Sequence, residues 1–168
     1  EADWPPTAVY VKNAQITRNH IYDIIDERTY SAVGIAIGAA DGTNATNNII
    51  ANNMIHGLLA NGTVGDQTVG IGTSAGKGDK IVFNSIYLTG DTDPDAGAGT
   101  PSQSNYGIRI TATAVTDLSV MNNIVVMGLE SSSAAATVKN ACIDIPASYA
   151  WGTGGMNYND WYIVPGNT

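Results

Sequence analysis

The sequence predicts an all-β fold, a parallel β-solenoid of about five coils of roughly 35 residues, with the whole chain 1–168 as one domain. Three observations predict it. The chain holds 18 Ile but only 5 Leu, together with 19 Gly and 16 Asn; β-branched side chains suit a pleated surface, and Gly and Asn tolerate turn dihedrals. An asparagine-centred motif recurs five times, and a second motif recurs in step with it.

The first motif is clearest in "IVFNSIYLTG" (81–90), where an asparagine interrupts a strand-like apolar run. Its relatives are "ITRNHIYDI" (16–24), "IANNMIHGL" (50–58), "VMNNIVVMG" (120–128) and "NYNDWYIVP" (157–165), aligned on Asn19, Asn53, Asn84, Asn122 and Asn159. Two places on stand Ile21, Ile55, Ile86, Ile124 and Trp161, which share a strand face with the asparagine and so point inward with it. Three places before stand Ile16, Ile50, Ile81, Ser119 and Met156. On a flat strand these would face the other way, so the chain turns a corner between them. An inward asparagine at a corner bonds its own turn and the amides of the asparagines above and below, forming a ladder.

The second motif is "AVGIAIG" (32–38), "TVGIGTS" (68–74), "NYGIRIT" (105–111) and "NACIDIP" (140–146), aligned on Gly34, Gly70, Gly107 and Cys142. Variable loops separate the motifs, the longest being "GDTDPDAGAGTPSQSN" (90–105).

The pattern I-x-x-N-x-I with G-I-x-I on another face resembles the right-handed parallel β-helix repeat family, over roughly residues 9–164. More narrowly, "KIVFNSIYLTG", "LSVMNNIVVMG" and "MNYNDWYIV" look like β-helix segments of large bacterial secreted or cell-surface proteins. That resemblance implies an extracellular or cell-surface location and a large parent chain, and no activity. The pattern departs from the family at Ser119 and Trp161, where local irregularity is expected.

Composition narrows the function. A net charge of −8 with seven Lys and Arg leaves no basic stripe for phosphates, so nucleic acid and anionic membrane are poor partners. No apolar run nears the roughly 20 residues of a membrane span. Cys142 is the one cysteine, so no internal disulfide forms. The start "EADWPP" lacks an initiator Met and an apolar leader, which leaves location open.

Many proteins of the resembled fold cleave polysaccharides, with clustered carboxylates and a base on one face. Here Asp23, Asp26, Glu27, Asp66, Asp79, Asp117, Asp144 and Asp160 are scattered, so no catalytic residue is assigned and the chain is expected not to be an enzyme. Arg109 stands above Asp144 as an outward ion pair. His20 and His56 lie one and three places after their asparagines and are not expected to stack. "DTDPD" puts Asp91, Asp93 and Asp95 at alternate positions, but Ala96 and Ser102 replace the glycine and glutamate of a Ca²⁺ loop. A weak Ca²⁺ site is the most this loop offers; no cofactor is expected. Cys142, in place of a glycine, is expected outward or at a bend. Asn44 and Asn61 begin sequons.

The column three places after the asparagines holds Tyr22, His56, Tyr87, Val125 and Tyr162, an outward strip suited to a sugar or a partner surface. No capping helix is legible at either end, and unpaired coil edges invite stacking. The expected role is therefore structural: a building block of an extracellular filament or a stalk, partnered end to end by other copies or by neighbouring coils of a longer chain. A carbohydrate-binding or adhesin module is the alternative, ahead of a polysaccharide lyase or hydrolase.

Overall fold

The computed structural model describes residues 11–26, 30–39, 42–60, 66–92, 103–131 and 138–165. They form a parallel β-solenoid of about three turns of about 36 residues. In chain order the strands are β1 (Gln15–Thr17), β2 (His20–Ile21), β3 (Ile24–Asp26), β4 (Ala32–Ile37), β5 (Ile49–Ala51), β6 (Met54–His56), β7 (Leu58–Ala60), β8 (Thr68–Thr73) and β9 (Gly76–Lys77). They continue as β10 (Lys80–Val82), β11 (Ser85–Asp91), β12 (Gln103–Ile110), β13 (Val115–Thr116), β14 (Ser119–Met121), β15 (Ile124–Glu130), β16 (Val138–Asp144), β17 (Gly155–Asn157) and β18 (Asp160–Ile163).

Three main faces result, because the asparagine motif folds into two strands and the glycine motif supplies the third. One sheet runs β1-β5-β10-β14-β17, the next β2-β6-β11-β15-β18, and the third β4-β8-β12-β16. The expected five coils count the rungs of the first two faces. From β4 to β16 the chain closes only the three full turns, and strands before and after add the outer rungs.

The corner inside the asparagine motif has a specific cause. Arg18, Asn52, Phe83, Asn122 and Tyr158 all have φ between 56° and 60°, the left-handed region that reverses the strand within one residue. Each immediately precedes the inward asparagine.

That geometry corrects one ladder position. Asn122 is the exposed left-handed corner residue, and Asn123 is the buried rung. The ladder is Asn19, Asn53, Asn84, Asn123 and Asn159, with Val125 and not Ile124 as the inward apolar partner: Val125 is 0% exposed and Ile124 is 51%. The same shift removes the expected irregularity at Ser119. Val120 pairs with Ile81 and Met156 in the apolar column, while Ser119 pairs with Lys80. Trp161 pairs with Val125 and packs half-buried against the core.

Along the ladder, Asn53 N–H and Nδ2 donate to Asn84 Oδ1 (3.1 and 2.9 Å), and Asn84 N–H and Nδ2 donate to Asn123 Oδ1 (both 3.0 Å). Asn123 repeats the pattern onto Asn159 (3.0 and 2.9 Å). Each amide also reaches back to the preceding coil, as in Asn84 Nδ2 to Ile50 O and Asn123 Nδ2 to Ile81 O. The inward polar groups are satisfied by one another. Around them pack Ile50, Ile81 and Val120 from the first face, Ile55, Ile86, Leu88 and Met127 from the second, and Ile35, Ile71 and Ile108 from the third, in one core.

Two further polar corners escaped the sequence-based reading. Asp79, one of the scattered carboxylates, is buried and accepts from Thr46 Oγ1 and Asn48 N–H, both at 2.7 Å; Asn48 Oδ1 in turn accepts Ala14 N–H. At the third corner Thr68 N–H donates to Asn105 Oδ1 (2.9 Å), and Thr68 Oγ1 accepts Ala60 N–H.

The glycine column explains where Cys142 sits. A Cβ on Gly70 would lie 2.5 Å from Gly107 O, and one on Gly107 would lie 2.7 Å from Cys142 O and closer still to Val125. The carbonyl of the following coil excludes any side chain there. Among the described residues no strand follows β16 on this face, so a side chain fits at 142. Cys142 is accordingly buried, not outward, with Sγ 3.8 Å from Val125 O and 3.6 Å from Tyr162 O.

Candidate functional site

The face built by β2, β6, β11, β15 and β18 carries the outward strip. Strand register sets Ile21 opposite Ile55, His56 opposite Tyr87, Tyr87 opposite Val126, and Val126 opposite Tyr162. Tyr22 therefore continues the column below His56, and Tyr22, Tyr87 and Tyr162 are each about half exposed. Val126 takes the fourth place instead of the expected Val125, which is buried, for the same one-residue reason that moves the ladder to Asn123. The aromatic strip is thus interrupted between Tyr87 and Tyr162.

Its lower end is a tight cluster. Tyr22 and His56 rings stack with centroids 5.6 Å apart and planes 13° apart, and His20 lies 4.6 Å from Tyr22. His20 and His56, expected not to meet, bring their Nε2 atoms to 2.6 Å. Register pairs His20 with Met54, but an imidazole is long enough to reach the diagonal neighbour on the next strand. Spacing along the sequence underestimates that reach.

On the third face Arg109 ties three coils together. Its Nε donates to Asp144 Oδ2 at 3.1 Å, its Nη1 bonds Gln67, and its guanidinium lies 4.7 Å over the Tyr106 ring. The expected outward ion pair is present, and Gln67 and Tyr106 extend it.

Asp79 is enclosed at a corner, and burial raises its pKa against the opposing effect of the Thr46 and Asn48 hydrogen bonds. Asp117 is lowered, first because Thr153 N–H donates to it at 2.7 Å and also because Lys77 lies 3.9 Å away. Among the described residues no three His, Cys, Asp or Glu side chains converge on a metal-sized space. Asp91 lies in β11 opposite Glu130; Asp93 and Asp95 fall outside the described residues, as does Asn61. Asn44 is exposed. Burial raises the Cys142 thiol pKa, which favours the unreactive protonated form.

The ladder has two unlike ends. At the first described rung, Asn19 N–H and Nδ2 donate inward to Asn53 Oδ1 (3.1 and 2.9 Å), and among the described residues nothing donates to Asn19 Oδ1. At the last, Asn159 Oδ1 is filled by Asn123, while its Nδ2 reaches back to Val120 O and, among the described residues, its own N–H has no further Oδ1 to meet. One end offers an acceptor and the other a donor.

Comparison of the chain with protein-family models, with curated proteins and with solved structures returned no match.

Proposed function

We propose that this chain is a structural right-handed β-helix of an extracellular or bacterial cell-surface assembly, whose rungs continue end to end into other copies of itself. The observation that carries this reading is the polarity of the asparagine ladder. Asn159 N–H at one end and Asn19 Oδ1 at the other are the two halves of the bond that joins every interior pair of rungs. The apolar columns match as well: Trp161 and Ile163 are half-buried and Met156 exposed at one end, and Ile16, Ile21 and Ile24 are half-buried at the other. Stacking would bury both sets and pair the open edges of the two five-stranded sheets. Head-to-tail contacts of this kind do not close, so they build a filament.

Negative-stain microscopy with light scattering over a concentration series tests the reading. Filaments should show an axial repeat of about 24 Å, five rungs at roughly 4.8 Å each, or a multiple of it. Asp160 and Val164 donate their N–H groups to Asn123 O and Met127 O of the preceding coil, so by strand alternation the Ile163 N–H points to the open side. Ile163→Pro removes that donor while leaving the β15–β18 bonds, and should leave monomers. Monomeric wild-type protein at every concentration would refute self-stacking and favour neighbouring coils of a longer parent chain as the partner.

A second reading rests on the exposed Tyr22, Tyr87 and Tyr162: a carbohydrate-binding or adhesin face, with ring surfaces for sugar stacking. Unchanged glycan binding after all three are replaced by Ala would refute it.

A further inference from the structure

We propose that His20 and His56 form a two-imidazole binding site for a borderline transition-metal ion, Cu²⁺ first among them. The chain has only these two histidines, and the fold brings them from adjacent rungs, 36 residues apart, to an Nε2–Nε2 separation of 2.6 Å. At that distance one ring donates its Nε2–H to the Nε2 lone pair of the other. When the donor ring shifts that proton to its Nδ1, both Nε2 lone pairs face the same space on an outer face, and a metal ion can take both neutral rings as ligands.

The separation is nearer to the bite of a square-planar ion than to that of a tetrahedral one. With metal–nitrogen bonds of about 2.05 Å, two nitrogens lie about 2.9 Å apart in neighbouring positions of a square plane and about 3.3 Å apart in a tetrahedron. The pair needs to open by about 0.3 Å for the square arrangement and by about 0.7 Å for the tetrahedral one, on the same bond length. Square-planar preference and the top of the affinity order for nitrogen sites both belong to Cu²⁺. His20 is exposed, so a small ring rotation supplies the opening. The Tyr22 ring stacked on His56 limits the orientations that imidazole can take. Met54, exposed and directly opposite His20, sets a soft sulfur donor one strand spacing away. Water completes the coordination.

Bound there, the ion would staple the first rung to the second. The site does not depend on how the ends of the solenoid are used, since both side chains point out from the side.

The test is titration of tag-free protein with CuCl₂ by calorimetry and electron paramagnetic resonance, on wild type, His20→Gln, His56→Gln and the double variant. One Cu²⁺ per chain with two-nitrogen hyperfine structure is expected. Loss of even an outer partner of a metal ligand lowers affinity about tenfold or more, and each single variant, which loses a direct ligand, should fall at least that far. Saturating Cu²⁺ should raise the unfolding temperature of wild type and of neither single variant. Circular dichroism checks that the variants fold. Single variants with wild-type affinity, a wild type that binds no Cu²⁺, or tighter binding of Zn²⁺ than Cu²⁺ would each overturn the proposal.

Discussion

Replacing Asn123 by Ala, beside the same change at Asn122, probes the ladder most directly. Asn123 is buried, and its Oδ1 accepts both Asn84 N–H and Asn84 Nδ2 while its Nδ2 donates to Ile81 O and Asn159 Oδ1. In Asn123→Ala the Asn84 side chain retains Ile50 O and Val82 O as acceptors, but the buried Asn84 N–H is orphaned. One orphaned buried donor costs about 1–3 kcal/mol, and the lost bond to Ile81 O adds about 1 kcal/mol, giving roughly 3 kcal/mol in all. Asn122 is exposed and its φ is 56°. Ala there meets only the left-handed backbone penalty, about 1 kcal/mol. For a chain of this size each kcal/mol moves the melting temperature about 2–4 °C, so Asn123→Ala should melt roughly 6–12 °C below wild type and Asn122→Ala roughly 2–4 °C below. Asn122→Gly should be neutral or stabilising, since Gly takes positive φ freely. Urea unfolding with unchanged slopes would show that stability had changed and the surface exposed on unfolding had not. If Asn122→Ala destabilises as much as Asn123→Ala, the assignment of the rung is wrong.

Three further outcomes follow from the same structure. Asp79→Asn retains an oxygen for Thr46 and Asn48 but cannot ionise. Because burial holds the Asp79 pKa above its usual value, its carboxyl favours the fold below the ordinary carboxylate range and loses that contribution as pH rises through the raised value. Asp79→Asn should therefore be more stable than wild type at neutral pH, with the advantage vanishing in acid; melting curves across pH would refute this if the advantage grew as pH fell. Gly107→Ala pushes a methyl group against Cys142 O and Val125 and should destabilise by about 3 kcal/mol, the upper end for overpacking, whereas Cys142→Ala should cost about 1 kcal/mol. Equal chemical denaturation midpoints for the two would contradict the stacking account of the glycine column. Buried and held protonated, Cys142 should react with an aromatic disulfide reagent at the rate of unfolding, and fast stoichiometric labelling of the native protein would show the burial to be wrong.

The period, the parallel stacking and the inward parity of the first ladder were legible in the sequence, because repeats that stack must place like residues at like positions. Ile50, Ile81 and the asparagines two residues before Ile55 and Ile86 carry that phase. Two other stacks were visible but unread. "TVG", "NYG" and "NAC" hold Thr68, Asn105 and Asn140 in one column, and Asn48 and Asp79 each stand two places before a core isoleucine.

The choice between Asn122 and Asn123 was only partly legible: apolar residues lie two places beyond each, but three places before stands Ser119 for the one and the apolar Val120 for the other. Contact settled it: the residue before the rung must take a left-handed backbone, and the rung itself must meet Asn84 below and Asn159 above. The same holds for Cys142, tolerated because no carbonyl of a following strand presses on it, and for His20 and His56, which meet across a diagonal that no linear spacing encodes. Sequence determined the repeat because periodicity is a property of the chain. Tertiary structure decided which single residue of each repeat lies inside, what an edge permits and which outward side chains touch, because those depend on the distance between one coil and the next.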